Sequence, residues 1–359
     1  MSNLISNNSD FLFIYEAIQC NPNGDPDQEN KPRMDYDTNT NLVTDTRVKR
    51  YIRDYVKQEG NEIFVDMEGE SKVTMDDKLR AVLKRVWDND EEMKSLIQDE
   101  ELINAYNALK VKDDADATIK KLVNKKPINK AVNLAILSGL VRQKFIDIRL
   151  FGSAFAVDGF NRSLTGAVQL NWGYSLNKVY LMDSNTIVSI MNDGNSTFGK
   201  DYRVKYSLLG FHGTINKAAA ATTGMTEDDR TLFQSAIWSS IAANPTRTKL
   251  NQYSKLYVEI IYNKGYSNGH FGDLRSFVTA KPKEDETSKS KKDEAAKPKK
   301  DEKVERIDDR QVKNLNDLEL NFSALENLIK ENKGEGKPIK DVVITSSQDM
   351  KKIFTYGSH

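Results

Sequence analysis

Residues 11–26, FLFIYEAIQCNPNGDP, and residues 42–56, LVTDTRVKRYIRDYV, decide the fold between them. Residues 11–20 form an apolar run rich in aromatic and β-branched side chains, which stops at Asn21-Pro22-Asn23-Gly24-Asp25-Pro26. That pattern predicts a strand ending in a turn-rich loop. The loop continues to about residue 41, a length that marks a connection as functional or mobile. A helix follows, in which Val48, Tyr51, Ile52, Tyr55 and Val56 recur at the spacing of one buried stripe. Arg47, Lys49, Arg50, Arg53 and Lys57 then occupy its other faces. Thr44 is placed to cap this helix, and Asp45 suits its positive end.

Outward from this strand, loop and helix, residues 74–145 read as several helices broken at Asp88-Asn89-Asp90, Asp113-Asp114 and Lys126-Pro127, with stripes such as Leu79, Val82, Leu83 and Val86. Strand chemistry is expected at 147–157 (DIRLFGSAFAV), at 164–182 (LTGAVQLNWGYSLNKVYLM) and at 202–215. Thr226-Glu227-Asp228-Asp229 is a capping signature that opens a helix to about residue 242, with Leu232, Phe233, Ala236, Ile237 and Ile241 as its stripe. A strand is expected at 253–262, a helix near 322–330 and a strand at 341–346. Residues 281–303 lack any aromatic or large aliphatic side chain and mix both charges, so they read as a disordered loop.

With 359 residues the chain has material for one elaborated domain or two, and ample apolar side chains for a core. Its 53 basic and 53 acidic residues cancel, which excludes a uniformly cationic nucleic-acid binder and makes any polyanion site local. Cys20 is the single cysteine, so no internal disulfide or zinc pattern can be spelled. Without a signal-peptide pattern or an apolar run of membrane-spanning length, a cytoplasmic protein is expected.

Several motifs suggest chemistry and then fail it. Gly194 to Lys200 follows phosphate-loop spacing, but Asp201 stands where a magnesium-binding hydroxyl belongs, and a glycine-rich turn explains the stretch. Asp25, Asp27 and Glu29 imitate a calcium loop, yet Asn30 and Tyr36 replace its essential Gly and Glu. His212, His270 and His359 are isolated, His212 reading as a packed strand residue. The basic helix by spacing alone has a solvated face. Its position after a long loop, with free amides at the N-terminus beside Arg47, Lys49 and Arg50, also suits phosphate.

NPNGDP, LVTDTRVKRYIRDYV, DIRLFG, LTGAVQLNWGYS and GFHGTI together resemble the backbone subunit of the CRISPR Cascade complex, of the type I-B and I-C kinds, over most of residues 10–262. The resemblance implies an α+β fold: an RRM-like (ferredoxin-like) palm of the RAMP superfamily with a helical insertion and β-hairpin elaborations. The palm would comprise 10–66 and 145–280, the insertion 67–144, the charged loop 281–310, and a helix and strand returning to the core 311–359.

It further implies that copies of the chain polymerise along one CRISPR RNA with other Cascade subunits, each holding the backbone while intervening bases pair with target DNA. No cofactor, metal or catalytic residue is implied. Carried onto this chain, the RNA positions are Asn21, Asn23, Thr44, Asp45, Lys49, Arg50, Arg53, Arg149, Gln169 and Arg247. Backbone contacts position an RNA without reading it, as a subunit accepting any guide requires. Two alternatives stand beside this reading: a metal-dependent endoribonuclease using Asp25, Asp27 and Asp35, and a protein-interaction subunit that binds no RNA.

Overall fold

The computed structural model describes residues 3–66, 74–123, 126–157, 160–184, 186–188, 198–284 and 306–357. Most of the 281–303 loop, the Gly194–Thr197 part of the phosphate-loop look-alike and His359 lie outside these residues. The chain divides into two compact units, one of residues 1–6, 53–169 and 215–235, the other of residues 7–52, 170–214 and 236–359.

The second unit is built on a sheet. Its strands are β1 (Ser9–Ile18), β2 (Met34–Asp35), β3 (Thr40–Val43), β4 (Gly173–Ser175), β5 (Tyr206–Ile215), β6 (Gln252–Tyr262) and β7 (Ile339–Ser346), in the spatial order β7-β6-β1-β5-β4-β3-β2. β1 and β7 both pair antiparallel with β6. β4 pairs antiparallel with β5 and with β3, and β3 with β2. The expected strands at 11–20, 253–262 and 341–346 are therefore present, and the loop after β1 is folded into short antiparallel pairs, Gly24–Asp25 with Lys31–Pro32 and β2 with β3.

β1 is buried along nearly its whole length, so both of its faces are covered. One face carries Phe11, Phe13 and Tyr15, whose rings meet Tyr257 and Phe211 at centroid distances of 5.6 to 6.3 Å. The other carries Leu12 and Ile14, which join Leu208, Leu256 and Val258 in a core roofed by Leu274, Leu318, Phe322, Leu325, Ile329 and Phe354. That roof includes the expected C-terminal helix, at Ser323–Asn332.

The helix read at 44–56 is α1 (Asp45–Gln58), with Val48, Tyr51, Ile52 and Val56 buried. Within the first unit follow α2 (Met75–Val86), α3 (Asp90–Ile97), α4 (Glu100–Leu109), α5 (Ala115–Leu122) and α6 (Pro127–Lys144), broken at the three expected places and also at Gln98-Asp99, a break the sequence reading runs through. Asn89, Asp99 and Asp114 cap α3, α4 and α5 through their side chains, each cap contributing about 1 kcal/mol. α6 is central: Val132, Ile136, Leu137, Leu140 and Val141 pack in one core with Leu83, Met93, Leu96, Tyr106 and Ile119. Gly139 lets α3 approach closely, since a Cβ there would fall 2.4 Å from the Leu96 carbonyl oxygen.

One expectation is overturned. Residues 146–151 are not a strand but a short helix, α7 (Ile146–Phe151), and the strand begins only at Gly152, pairing with Phe160–Thr165. Ile146, Asp147, Ile148, Leu150 and Phe151 are all buried, so the apolar-polar alternation marks an element enclosed on every side rather than a strand with one wet face. Gly152, at φ 73°, ends the turn. The β-rich stretch at 164–182 is likewise interrupted, its described strands being Val168–Leu170 and β4. Two helices close the first unit's share of the chain: α8 (Lys217–Thr223) and the start of α9 (Glu227–Ala243). The capping signature is realised there, Asp229 N donating to Thr226 Oγ1 at 3.1 Å and Thr226 N to Asp229 Oδ2 at 3.0 Å.

Candidate nucleic-acid interface

The turn after β1 is pinned by main-chain bonds on both sides. Gln19 N donates to the Lys205 carbonyl at 3.1 Å, and Asn21 N to the Thr248 carbonyl at 2.8 Å, so the approaches to β5 and β6 hold it. Asn21 is buried; its Nδ2 donates to the Asn30 carbonyl at 2.7 Å, closing the loop on itself. Asn23 Oδ1 accepts from both Thr44 N (2.9 Å) and Thr44 Oγ1 (3.0 Å). Thr44 Oγ1 in turn accepts from Arg47 N at 3.2 Å, so Thr44 is the N-cap of α1. Asn23 and Thr44 thus brace the N-terminus of α1, and Asn21 closes the loop that carries Asn23.

Basic side chains gather around this brace. Lys249 Nζ donates to the Asn21 carbonyl at 2.8 Å, and burial together with the nearby Arg47 charge lowers its amine to about 8. Arg47 lies over the Tyr51 ring, 5.3 Å from its centroid. Among the described residues neither Arg47 nor Lys249 has a carboxylate at ion-pair distance. Arg247 and Arg203 share the buried Asp201, at 2.9 and 2.7 Å, and the Arg247 side chain is otherwise exposed. Lys49 pairs with Asp45 one turn back at 2.8 Å, and Arg50 is half-buried on the same helix. Cys20, beneath the turn, is buried and its thiol pushed up to about 12, which leaves it protonated and inert.

The remaining sequence-derived positions belong to the helical unit and have other partners. Arg53 Nε meets the fully buried Asp147 at 3.1 Å, and Asp147 also accepts from Phe64 N (2.7 Å) and Val65 N (3.0 Å). Arg149 makes two bonds of 2.8 Å to Asp229 and caps the carbonyls of Arg142 and Gln143. Gln169 is exposed, its Nε2 donating to the Gly166 carbonyl at 2.9 Å. The structure therefore brings together Asn21, Asn23 and Thr44 with Lys249 and Arg47. Lys249, missed by the sequence reading, sits two residues from Arg247 in NPTRTKL; the signal was there, but nothing local distinguished the two.

The acidic loop shows no convergence. Asp25 pairs with Arg33 at 3.2 Å, while Asp35 accepts from Thr38 Oγ1 and Asp37 N, which hold its carboxyl below the usual range. Among the described residues no three His, Cys, Asp or Glu side chains gather as a metal site. His212 is a buried strand residue, its Nδ1 accepting from Leu274 N at 3.4 Å, and burial keeps it neutral by lowering its basicity. No helix among the described residues is long and apolar enough to cross a membrane.

An α+β protein with a large antiparallel sheet and a local basic site at a helix N-terminus is the class these features define. The chain belongs to the family of the CRISPR-associated protein Cas7, whose family model matches residues 7–313. A CRISPR-associated protein Cas7 from Haloferax volcanii is 29% identical over 295 residues, covering 76% of this chain and 75% of that protein. Among solved structures, a chain of a CRISPR RNA-guided surveillance complex in a pre-nicking state is similar over 73% of this chain and 80% of its own, at 15% identity and a TM-score of 0.46. Another CRISPR RNA-guided surveillance complex gives 12% identity and a TM-score of 0.37, over 73% and 72% of the two chains.

Proposed function

We propose that this chain is the guide-RNA-binding backbone subunit of a type I Cascade surveillance complex, of the I-B or I-C kind, acting in the cytoplasm and carrying no catalytic centre of its own. The observation that carries the reading is the pair Arg47 and Lys249, cations without a carboxylate partner among the described residues, beside a braced helix N-terminus. Desolvating an amine without an anion is costly, and a phosphate arriving there restores its charge. The amides of the first turn of α1 add the helix's own positive end.

The sheet supports an RRM-like palm. The order β1, α1, β4, β5, α9, β6 along the chain, with β6-β1-β5-β4 across the sheet, is a βαββαβ arrangement. Residues 67–144 are then the helical insertion. In this palm the aromatic face of the central strands is covered, and so is the opposite face, so RNA is held at the strand ends by its backbone rather than laid across the middle of the sheet. Asn21, Asn23 and Thr44 set the geometry; Lys49, Arg50 and Arg247 extend the basic surface, and Asp45 orients Lys49. Arg53 and Arg149, committed to Asp147 and Asp229, shape the surface of their unit, and Gln169 offers an exposed amide. Successive copies share one CRISPR RNA, leaving base edges for target DNA.

Purification with and without a co-expressed CRISPR array tests this. Guide RNA is expected to accompany the protein only with the array, and complementary RNA to survive added magnesium or manganese. Site-specific cuts lost in Asp25→Ala would establish the endoribonuclease instead, and a nucleic-acid-free preparation would establish the protein-interaction subunit.

A further inference from the structure

Trp172 and Tyr174 are large aromatic side chains left 42% exposed each on a sheet whose central faces are closed. Gly173 between them explains their direction. A Cβ at Gly173 would fall 2.2 Å from the Phe211 ring, so β4 is pressed backbone-first onto that ring and its two flanking side chains emerge on the opposite face. There Arg275 fixes them. Its guanidinium lies 4.5 Å from the Tyr174 ring centroid, its Nη1 donates to the Trp172 carbonyl at 2.8 Å, and its Nε is bound to Asp273 Oδ1 at 3.0 Å. Gly210, opposite Tyr174 on β5, lies under the Leu176 and Arg275 side chains, which an added Cβ would meet at 3.2 and 3.7 Å.

The register locates this pair. Leu42 pairs with Tyr174 and Val43 with Gly173, so the next step along β3 puts Thr44, the N-cap of α1, alongside Trp172. The rings therefore begin where the phosphate site ends. Beyond the bend at residues 176–177, Lys178 is exposed and pairs with Asp309 at 3.6 Å, and Tyr180 has the Arg310 guanidinium 5.5 Å from its ring. Exposed rings with cations beside them form a surface that receives successive bases of a single strand. The exposed apolar area is two rings flanked by the exposed Asn171 and Lys178; that matches one or two bases and falls far short of the roughly 800 Å² per partner of a stable protein interface.

We propose that Trp172 and Tyr174 are a base-stacking platform, receiving bases of the single-stranded RNA whose backbone is held at the α1 N-terminus. This deepens the function proposed above and rests on it. The stacking is sequence-tolerant, because every base has a π-face, and it gives the subunit a grip on bases that its backbone contacts lack.

The test uses the full chain, a single-stranded RNA of mixed sequence and an abasic oligoribonucleotide of equal length. Trp172→Ala with Tyr174→Ala is expected to weaken binding of the intact RNA roughly 10-fold or more, leaving its salt dependence and the abasic affinity unchanged; Trp172→Phe retains most of the affinity. With Trp87→Phe and Trp238→Phe, Trp172 becomes the sole tryptophan of the three, and its fluorescence is expected to be quenched by the intact RNA alone. Equal weakening toward both RNAs, quenching by both, or unaltered RNA affinity with lost self-association would overturn the platform, the last result assigning the rings to a second copy. Arg47→Gln with Lys249→Met separates the failures: if only that pair weakens binding, the backbone site stands and the platform falls, and if neither pair does, both fall.

Discussion

In the helical unit Arg149 reaches Asp229 with two bonds of 2.8 Å, whereas in the sheet unit the Lys249 amine meets the Asn21 carbonyl and, among the described residues, no carboxylate. Arg53 and Arg47 repeat the contrast, the first on the buried Asp147, the second on an aromatic ring. All four cations look alike in the sequence. What separates them is a carboxylate supplied from far along the chain, 94 residues away for Arg53 and 80 for Arg149. A buried cation with its own carboxylate is a structural element whose removal damages the fold; on the function proposed above, Arg47 and Lys249 instead meet an anion from outside.

The largest expected effect breaks the structural half of this contrast. Asp147→Ala strands the Arg53 charge and two main-chain amides, and is expected to cost about 3–5 kcal/mol in urea unfolding; a loss below about 1 kcal/mol would mean that Arg53 is as available as Lys249. Next comes the binding half. Arg47→Gln with Lys249→Met is expected to lower RNA affinity roughly 10- to 100-fold and to flatten the salt dependence by roughly 1.4 in log–log slope, the value for two phosphates on a single strand. An unchanged slope in a folded protein would remove both cations from the phosphate contact.

The smallest effect sharpens the comparison through pH. Because burial lowers the Lys249 amine from 10.5 to about 8, the unfolded chain holds a proton between those values that the folded chain lacks, so stability rises with pH through that window. RNA binding runs the other way. Above about pH 8 the amine must regain its proton to meet a phosphate, and affinity is expected to fall by up to about tenfold per pH unit. Lys249→Arg should flatten this profile, and titrations at several pH values will show whether it does.

Much of this architecture was legible where one segment determines its own state. The buried stripe of α1, the Thr44 and Thr226 caps, and three of the four breaks among α2 to α6 depend on residues within a turn or two of one another, so periodicity and capping chemistry disclosed them; the break at Gln98-Asp99 was missed. Residues 146–151 misled because alternation signals a strand only when one face is wet, and there neither is. The site was legible in part. The resemblance assigns Asn23 and Thr44 to RNA as an expectation, whereas their role as a brace rests on a bond spanning 21 residues, and the Lys249 contact with Asn21 spans 228. The proposed role of Arg47 and Lys249 rests on having no carboxylate neighbour among the described residues, which no local pattern records.

The roof over the Leu12 and Ile14 face has a consequence for how the chain is made. β1 precedes its neighbours in the sheet, β5 and β6, which begin only at Tyr206 and Gln252, and Phe322 and Phe354, which close the core, come still later. At roughly 5–20 residues per second, β1 spends on the order of ten seconds or more as an unpaired, strongly apolar edge. Native pairing over such separations is slow, and waiting edges of this kind recruit one another. A nascent chain stalled after residue 313 would carry every strand of the central sheet except β7 and yet leave the Leu12 and Ile14 face without Leu318, Phe322, Leu325, Ile329 and Phe354, so residues 315–354 are the step that covers that face.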